Sequence, residues 1–317
     1  MKKICGMIIS VMLLCSLCAC GSSPGNIDGG KLRIAATVFP AYDFARQIAG
    51  ERADVTLLVP PGSEAHSYEP TPQDILLLNS CSLLVCNGGE SEAWLDTVTD
   101  GLDAEFPIIY MLNCVDAVEE ETKAGMQSGG ILSRGSHGEH EEEYDEHVWT
   151  SPANAMAICR AIAEELCRID PGGRDYYSAN CKEYTDRLAE LDAAFRSTVE
   201  HASCRTVIFA DRFPVRYFTE EYGLDYYAAF PGCADDAEPS ARTVAFLIDR
   251  VRSEHTRAVF YIEFSNEKMA DIISEETGCE KLLFHSCHNV TADQLSSGVG
   301  YLDLMENNLI NLKEALG

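Results

Sequence analysis

Short apolar runs rich in Val, Ile, Leu and aromatic residues alternate with helical patterns along most of this chain. They predict an α/β protein of two lobes with mostly parallel four-stranded sheets. Two further observations set the layout. The alternation runs from Lys31 to Met111 and starts again at Arg205, ending near Leu316. Between the two series lies one unbroken helical pattern from Asp175 to about Val199, in which Tyr177, Cys181, Tyr184, Leu188, Leu191 and Phe195 recur at spacings of three and four. At 1.5 Å per residue such a helix is roughly 35–40 Å long, enough to run the length of both lobes and join them rigidly.

The first residues stand apart from the fold. Met1-Lys2-Lys3 is a charged start and Met7–Leu14 an apolar stretch too short to span a bilayer. Leu17-Cys18-Ala19-Cys20 then has the pattern of a lipoprotein cleavage site, which would leave Cys20 diacylated (palmitate-type chains) at a new N-terminus. Two acyl chains hold a protein stably on a membrane surface. Residues 1–20 are therefore expected to be a signal peptide and 21–30, rich in Gly, Ser and Pro, a flexible tether.

In the first lobe (31–173), Lys31–Val38, Asp54–Val59, Ser82–Asn87 and Pro107–Met111 are expected as strands. Ala41–Ala49 and Trp94–Leu102 are expected as helices, and Thr71-Pro72-Gln73-Asp74 opens another with an N-cap and a proline at the first helical position. Residues 116–146 form a long acidic, Gly-rich loop containing His137 and His140, expected to be partly mobile. Ala153–Arg168 follows as a helix. After the linking helix (174–200), the second lobe (201–317) has expected strands Arg205–Ala210, Tyr226–Phe230, Ala258–Ile262 and Lys281–Phe284. Its helices are expected at Phe213–Tyr222, Ser240–Ser253, Glu267–Thr277 and Val299–Leu316.

The formal net charge is −27 and the pI about 4.5. Such a surface repels phosphate backbones and anionic headgroups, which excludes nucleic acid as a partner, and it concentrates cations. Ten cysteines follow Cys20: Cys81, Cys86, Cys114, Cys159, Cys167, Cys181, Cys204, Cys233, Cys279 and Cys287. They are scattered without a Cys-x-x-Cys spacing, and many fall on apolar faces, so they are expected as buried thiols.

Ligands of open α/β sheets bind beyond the carboxyl ends of the strands. His66, Asp211, Glu263 and His285 stand at such ends or just past them, and His147 precedes a helix at the close of the acidic tract Glu139–Glu146. Two lobes each offering about two donors would place a metal site in the cleft between them. Neutral imidazole is the commonest transition-metal ligand.

Three segments carry a resemblance to a known family. They are Pro60-Pro61-Gly62 through His66-Ser67-Tyr68-Glu69-Pro70-Thr71-Pro72, then Glu146-His147-Val148-Trp149-Thr150-Ser151-Pro152, and Tyr301–Asn308. From about Lys31 to Leu316 the chain resembles the solute-binding lipoproteins of bacterial zinc and manganese ABC importers, and most of all their zinc-binding members. The resemblance implies two α/β lobes on one rigid helix, a closed four-ligand metal site, and delivery of the ion to a membrane permease by a lipid-anchored monomer facing outside the cytoplasm. His66 and His147 match the first two ligands. The family's usual third-ligand histidine is missing from Phe209-Ala210-Asp211-Arg212-Phe213-Pro214, where Asp211 is the nearest donor, or else a helix N-cap. The family's usual fourth ligand is an aspartate after the last strand, where this chain has His285 instead, with Glu263 and His288 as fallbacks and Cys287 behind them, and His137/His140 resemble an auxiliary metal-gathering loop. Three imidazoles and one carboxylate suit Zn²⁺; Mn²⁺, the alternative, prefers more oxygen.

Two rival classes remain. An exported zinc hydrolase would need an open coordination position and a general base, and His140-Glu141-Glu142-Glu143-Tyr144 lacks the second histidine of His-Glu-x-x-His. An adhesin or iron-chelate binder on the same scaffold would need a wide aromatic or basic cleft.

Overall fold

A computed structural model of the chain describes residues 30–64, 68–102, 104–127, 144–232, 234 and 239–317. The leader with Cys20, tether residues 21–29, His66 and the His137/His140 pair lie outside the described residues. Strands β1 (Leu32–Ala36), β2 (Ala53–Leu57), β3 (Leu83–Cys86) and β4 (Ile108–Tyr110) form one sheet in the order β2-β1-β3-β4. Strands β5 (Thr206–Phe213), β6 (Asp225–Pro231), β7 (Ala258–Tyr261) and β8 (Glu280–Leu283) form a second in the order β6-β5-β7-β8. Every pairing is parallel, so the two halves repeat one topology. The strand β3 is buried along its whole length, as a parallel strand covered on both faces must be.

Helices α1 (Phe39–Ala49), α2 (Pro72–Leu78), α3 (Trp94–Thr99) and α4 (Pro152–Ile169) belong to the first half. The Thr71 side chain caps α2 in a capping box with Asp74, and the Ser151 hydroxyl accepts from Asn154 N–H at the start of α4. The linking helix α5 (Arg174–Glu200) has 27 residues. In the second half lie α6 (Arg216–Tyr222), α7 (Ala241–Glu254), α8 (Lys268–Thr277), α9 (Ala292–Ser296) and α10 (Tyr301–Leu316). The short α9 was not expected; Thr291 and Gln294 form its capping box.

Helix α5 backs both lobes. Near its start, Asn180 Nδ2 donates to the Ile48 carbonyl at 3.0 Å and the Tyr184 hydroxyl to Asp43 at 3.0 Å. Near its end, Phe195 packs edge-on against Phe218 with ring centroids 4.9 Å apart, and Asp192 accepts from the Tyr222 hydroxyl at 2.9 Å. One apolar core runs without a break from Ile34 and Phe44 through Tyr184 and Leu188 to Phe209 and Phe284.

One expectation about local structure requires correction. The strand expected to end at Ala210 continues to Phe213, because a register shift between Phe209 and Arg212 lets Arg212 and Phe213 pair with Phe230 and Pro231. Asp211 therefore sits within β5, and α6 starts at Arg216, beyond Pro214, which has no amide proton to donate. Within the acidic stretch, residues 118–127 are tied to the second half of the chain. Gln127 N donates to the Ala229 carbonyl at 2.8 Å, its side chain accepts from Ser240 N at 2.7 Å, and Glu121 accepts from the Tyr226 hydroxyl at 3.0 Å. This strap from the first half lies across the second.

The described cysteines carry no disulfide: Cys81, Cys86, Cys159, Cys167, Cys181, Cys279 and Cys287 are buried free thiols, and Cys114 and Cys204 are partly so. Burial pushes the Cys159 and Cys287 thiols well above their ordinary range, which keeps them protonated and unreactive.

Asp43 is fully buried on α1, and its carboxylate accepts from Arg46 at 2.6 Å, Tyr184 at 3.0 Å and Tyr301 N at 2.9 Å. It thus ties α1 to α5 and α10. Asp43→Ala leaves those donors unpaired and is expected to lower stability by roughly 3–5 kcal/mol, read from urea unfolding midpoints. A loss under 1 kcal/mol would show that the three helices are held together by packing alone.

Candidate metal centre

Beyond the carboxyl ends of β5 and β7 the strand connections diverge, and a crevice opens there as parallel topology requires. Ser63 and Glu64 line it from the first lobe, with His147. Arg212, Gly232, Glu263, Phe264, Ser286 and His288 line it from the second. Its free volume is small, about 30 Å³.

His147 stands just before α4 and is 1% exposed. Asp145 Oδ1 accepts from its backbone N–H at 2.8 Å and lies 3.1 Å from its Nδ1. That contact places the ring proton on Nδ1 and leaves Nε2 as the lone-pair nitrogen, the arrangement in which a carboxylate orients a metal-binding imidazole. Burial alone lowers the His147 pKa. The Asp145 charge and hydrogen bond, with Glu146 behind, reverse the balance and leave it raised. Asp145 is fixed in turn: its N–H donates to the Val118 carbonyl at 2.9 Å, and its carbonyl accepts from the Tyr217 hydroxyl at 2.8 Å. Gly232 must lack a side chain here, since a Cβ would stand 2.9 Å from the Phe213 carbonyl oxygen and 3.3 Å from His147 Cε1.

His288 meets His147 edge-on, with ring centroids 5.5 Å apart and planes at 89°. Trp149 joins the two, with its ring 5.5 Å from His147 and 5.1 Å from His288. Its indole N–H donates to the Ser286 carbonyl at 2.8 Å. Glu263 accepts from Ser286 N at 2.7 Å and keeps the β8 loop against the pocket wall.

His285 lies outside the lining and is 4% exposed. Asn308 on α10 brackets its backbone, accepting from His285 N–H at 2.7 Å and donating to its carbonyl at 2.8 Å. Its Nδ1 accepts from Cys287 N–H at 2.9 Å and stands 3.5 Å from Glu263 Oε1, so that nitrogen is already engaged by the protein. Asp211 is likewise occupied behind the wall, accepting from Arg212 N at 2.8 Å and Ile262 N at 3.4 Å. Burial raises its pKa, and these hydrogen bonds oppose the shift. Of the residues singled out in the sequence, the structure thus brings His147, His288 and Glu263 to one cavity and leaves Asp211 and His285 behind it. Glu64 and Arg212 were missed. Their only signal was position: one precedes His66 by two residues, and the other follows Asp211. Among the described residues no three His, Cys, Asp or Glu side chains stand close enough to hold an ion as they are.

Behind His147, Glu146 accepts from Ser91 N at 3.0 Å and from the Ser91 hydroxyl, and its carbonyl accepts from Asn87 Nδ2 at 2.8 Å. Gly89, at φ +94°, permits that approach, because a Cβ would lie 2.4 Å from Glu146 Oε1. The neighbouring Glu92 is buried and accepts from Gly88 N at 2.7 Å. Burial, with some help from the Glu146 charge, pushes its carboxyl up to about 7.

Two parallel α/β lobes on one spine, with a histidine-walled cleft between them, define a two-lobed binding protein. The family model for the periplasmic component A of zinc-uptake complexes (ZnuA) matches residues 34–315, so the chain belongs to that family. It is 30% identical over 320 residues to the high-affinity zinc uptake system protein ZnuA of Bacillus subtilis, covering 99% of this chain and 98% of that one. It is 29% identical to the zinc-binding lipoprotein AdcA of Streptococcus pneumoniae over 99% of its own length, but spans 61% of that longer relative. The crystal structure of the Zn(II)-bound ZnuA-like domain of Streptococcus pneumoniae AdcA matches with a TM-score of 0.74 at 27% identity, over 90% of this chain and 99% of that one.

The raised Glu92 pKa has a consequence for stability. A carboxyl with a higher pKa folded than unfolded holds an extra proton in the native state, so stability falls as pH rises from about 4.5 through about 7. Glu92→Gln removes that slope. At pH 8 the variant is expected to exceed the parent by roughly 1–3 kcal/mol in urea unfolding, with the difference vanishing near pH 4.5. Parallel pH profiles for the two proteins would refute the assignment.

Proposed function

We propose that this protein captures Zn²⁺ outside the cytoplasm and hands it to the membrane permease of an ABC importer, with no chemical turnover. Membership of the zinc-uptake family supports this reading, and so do relatives named for zinc binding. The observation that carries it is the meeting of His147 and His288, one from each half of the chain, across a cavity of about 30 Å³. That space holds an ion or one or two waters and excludes an iron chelate. His66, His147 and His288 supply the imidazoles, and a carboxylate of the cleft wall completes a set that suits zinc better than manganese. Anchoring through acylated Cys20 would keep the body at the membrane, and His137 and His140 would gather metal near the mouth; both proposals rest on the sequence alone.

Zinc titration against a chromophoric chelator tests the reading. The parent is expected to bind one Zn²⁺ far more tightly than Mn²⁺. His147→Ala and His288→Ala should each weaken zinc by more than about 100-fold, and Asp145→Asn, which only orients His147, by about 10–100-fold. If both alanine variants titrate like the parent, this cleft does not hold the metal. Replacing Cys20 with Ala should release the protein from membrane fractions into the soluble one.

A further inference from the structure

A chain with 51 acidic and 24 basic side chains places a guanidinium in the wall of its own cation pocket. Arg212 is carried on β5 just past the register shift, where it pairs with Phe230, so its backbone is fixed by the sheet. Both Nη1 and Nη2 reach a single oxygen of Glu64, Oε2, at 3.2 Å each. Glu64 belongs to the loop after β2 in the first lobe, so this ion pair crosses the cleft between the lobes. Its side chains are 15% and 39% exposed, in the range where an ion pair contributes little to stability and is readily exchanged.

Charge and position together limit what Arg212 can do here. A dication entering the cavity is repelled by the guanidinium and attracted by the carboxylate that the guanidinium now engages. At equal distance Glu64 attracts a dication twice as strongly as it attracts Arg212. The other carboxylate of the wall, Glu263, is engaged by Ser286 through its backbone N–H and its hydroxyl, which hold the β8 loop. We infer that Glu64 is the carboxylate donor to the captured ion and that Arg212 is a built-in competitor for it, released when the dication arrives, so that Arg212 limits affinity and favours divalent over monovalent ions. This rests on the zinc-capture reading and specifies the residue that completes its donor set.

The test is zinc competition titration of the parent and four variants, each checked for an unchanged unfolding midpoint. Arg212→Gln removes the competing charge and is expected to tighten zinc binding by about tenfold or more. Arg212→Lys keeps a charge there and should stay close to the parent, which a purely structural role for the planar fork would not produce. Glu64→Gln should weaken binding by more than tenfold, and Glu64→Gln with Arg212→Gln should be no tighter than Glu64→Gln alone. An Arg212→Gln variant that binds zinc no better than the parent overturns the inference, as does an undiminished gain in the Glu64→Gln background. Weaker binding by Arg212→Gln that depends on added chloride or phosphate would instead make Arg212 a holder of a metal-bound anion, and also overturns it. A parent that binds no zinc removes the capture reading itself. A parent that binds zinc, with unaltered variants, removes only the competitor.

Discussion

One hydrogen bond, from the Trp149 indole to the Ser286 carbonyl, brings the two halves of the site together. Trp149 is fully buried, so its N–H must find a partner inside the protein or leave a desolvated donor. The partner it finds lies two residues before His288, while Trp149 itself lies two residues after His147. The Trp149 carbonyl is held as well, accepting from the Tyr301 hydroxyl at 2.6 Å. Packing of the indole against both imidazoles then leaves little freedom in their separation. Two loops from opposite halves of the sequence thus share one rigid aromatic wedge.

That wedge works because the lobes behind it do not hinge freely. Domain closure of the hinge type needs two bodies with few contacts between them. Here the apolar core is continuous from the first sheet to the second along α5, Asp43 ties three helices, and the 118–127 strap lies across the second lobe. These contacts oppose hinge closure of one lobe on the other. Phe264 stands at the rim of the cleft, half exposed and in a left-handed backbone conformation at φ +60°, which is strained for a residue with a side chain.

Much of this was legible in the sequence. The strand and helix series, the long spine, the Thr71 and Ser151 caps and the buried thiols all follow from periodicity and local capping chemistry. The donor set was less so, and the β8 loop shows why. In Phe284-His285-Ser286-Cys287-His288, beyond the end of β8, Ser286 and His288 line the cleft while Phe284, His285 and Cys287 are buried outside its lining. Cys287 takes a left-handed turn at φ +63° and donates its N–H back to His285. At β5 the apolar run ends at Ala210, whereas a register shift carries the pairing past Asp211 and presents Arg212.

The electrostatics of the molecule act on two scales, and only one of them can choose a metal. The overall charge of −27 raises the concentration of every cation near the surface, but salt screens it beyond about 10 Å and it does not distinguish one dication from another. Discrimination has to come from donor chemistry at contact distance. Imidazole nitrogen prefers zinc to magnesium or calcium, which take oxygen. The preference survives only if the nitrogen lone pair already points at the ion, since reorienting a loose ring would consume the difference. In the capture proposed above, that orientation would come from Asp145 behind His147 and from Trp149 between His147 and His288. Selectivity in this fold is therefore a property of the residues that hold the histidines as much as of the histidines themselves.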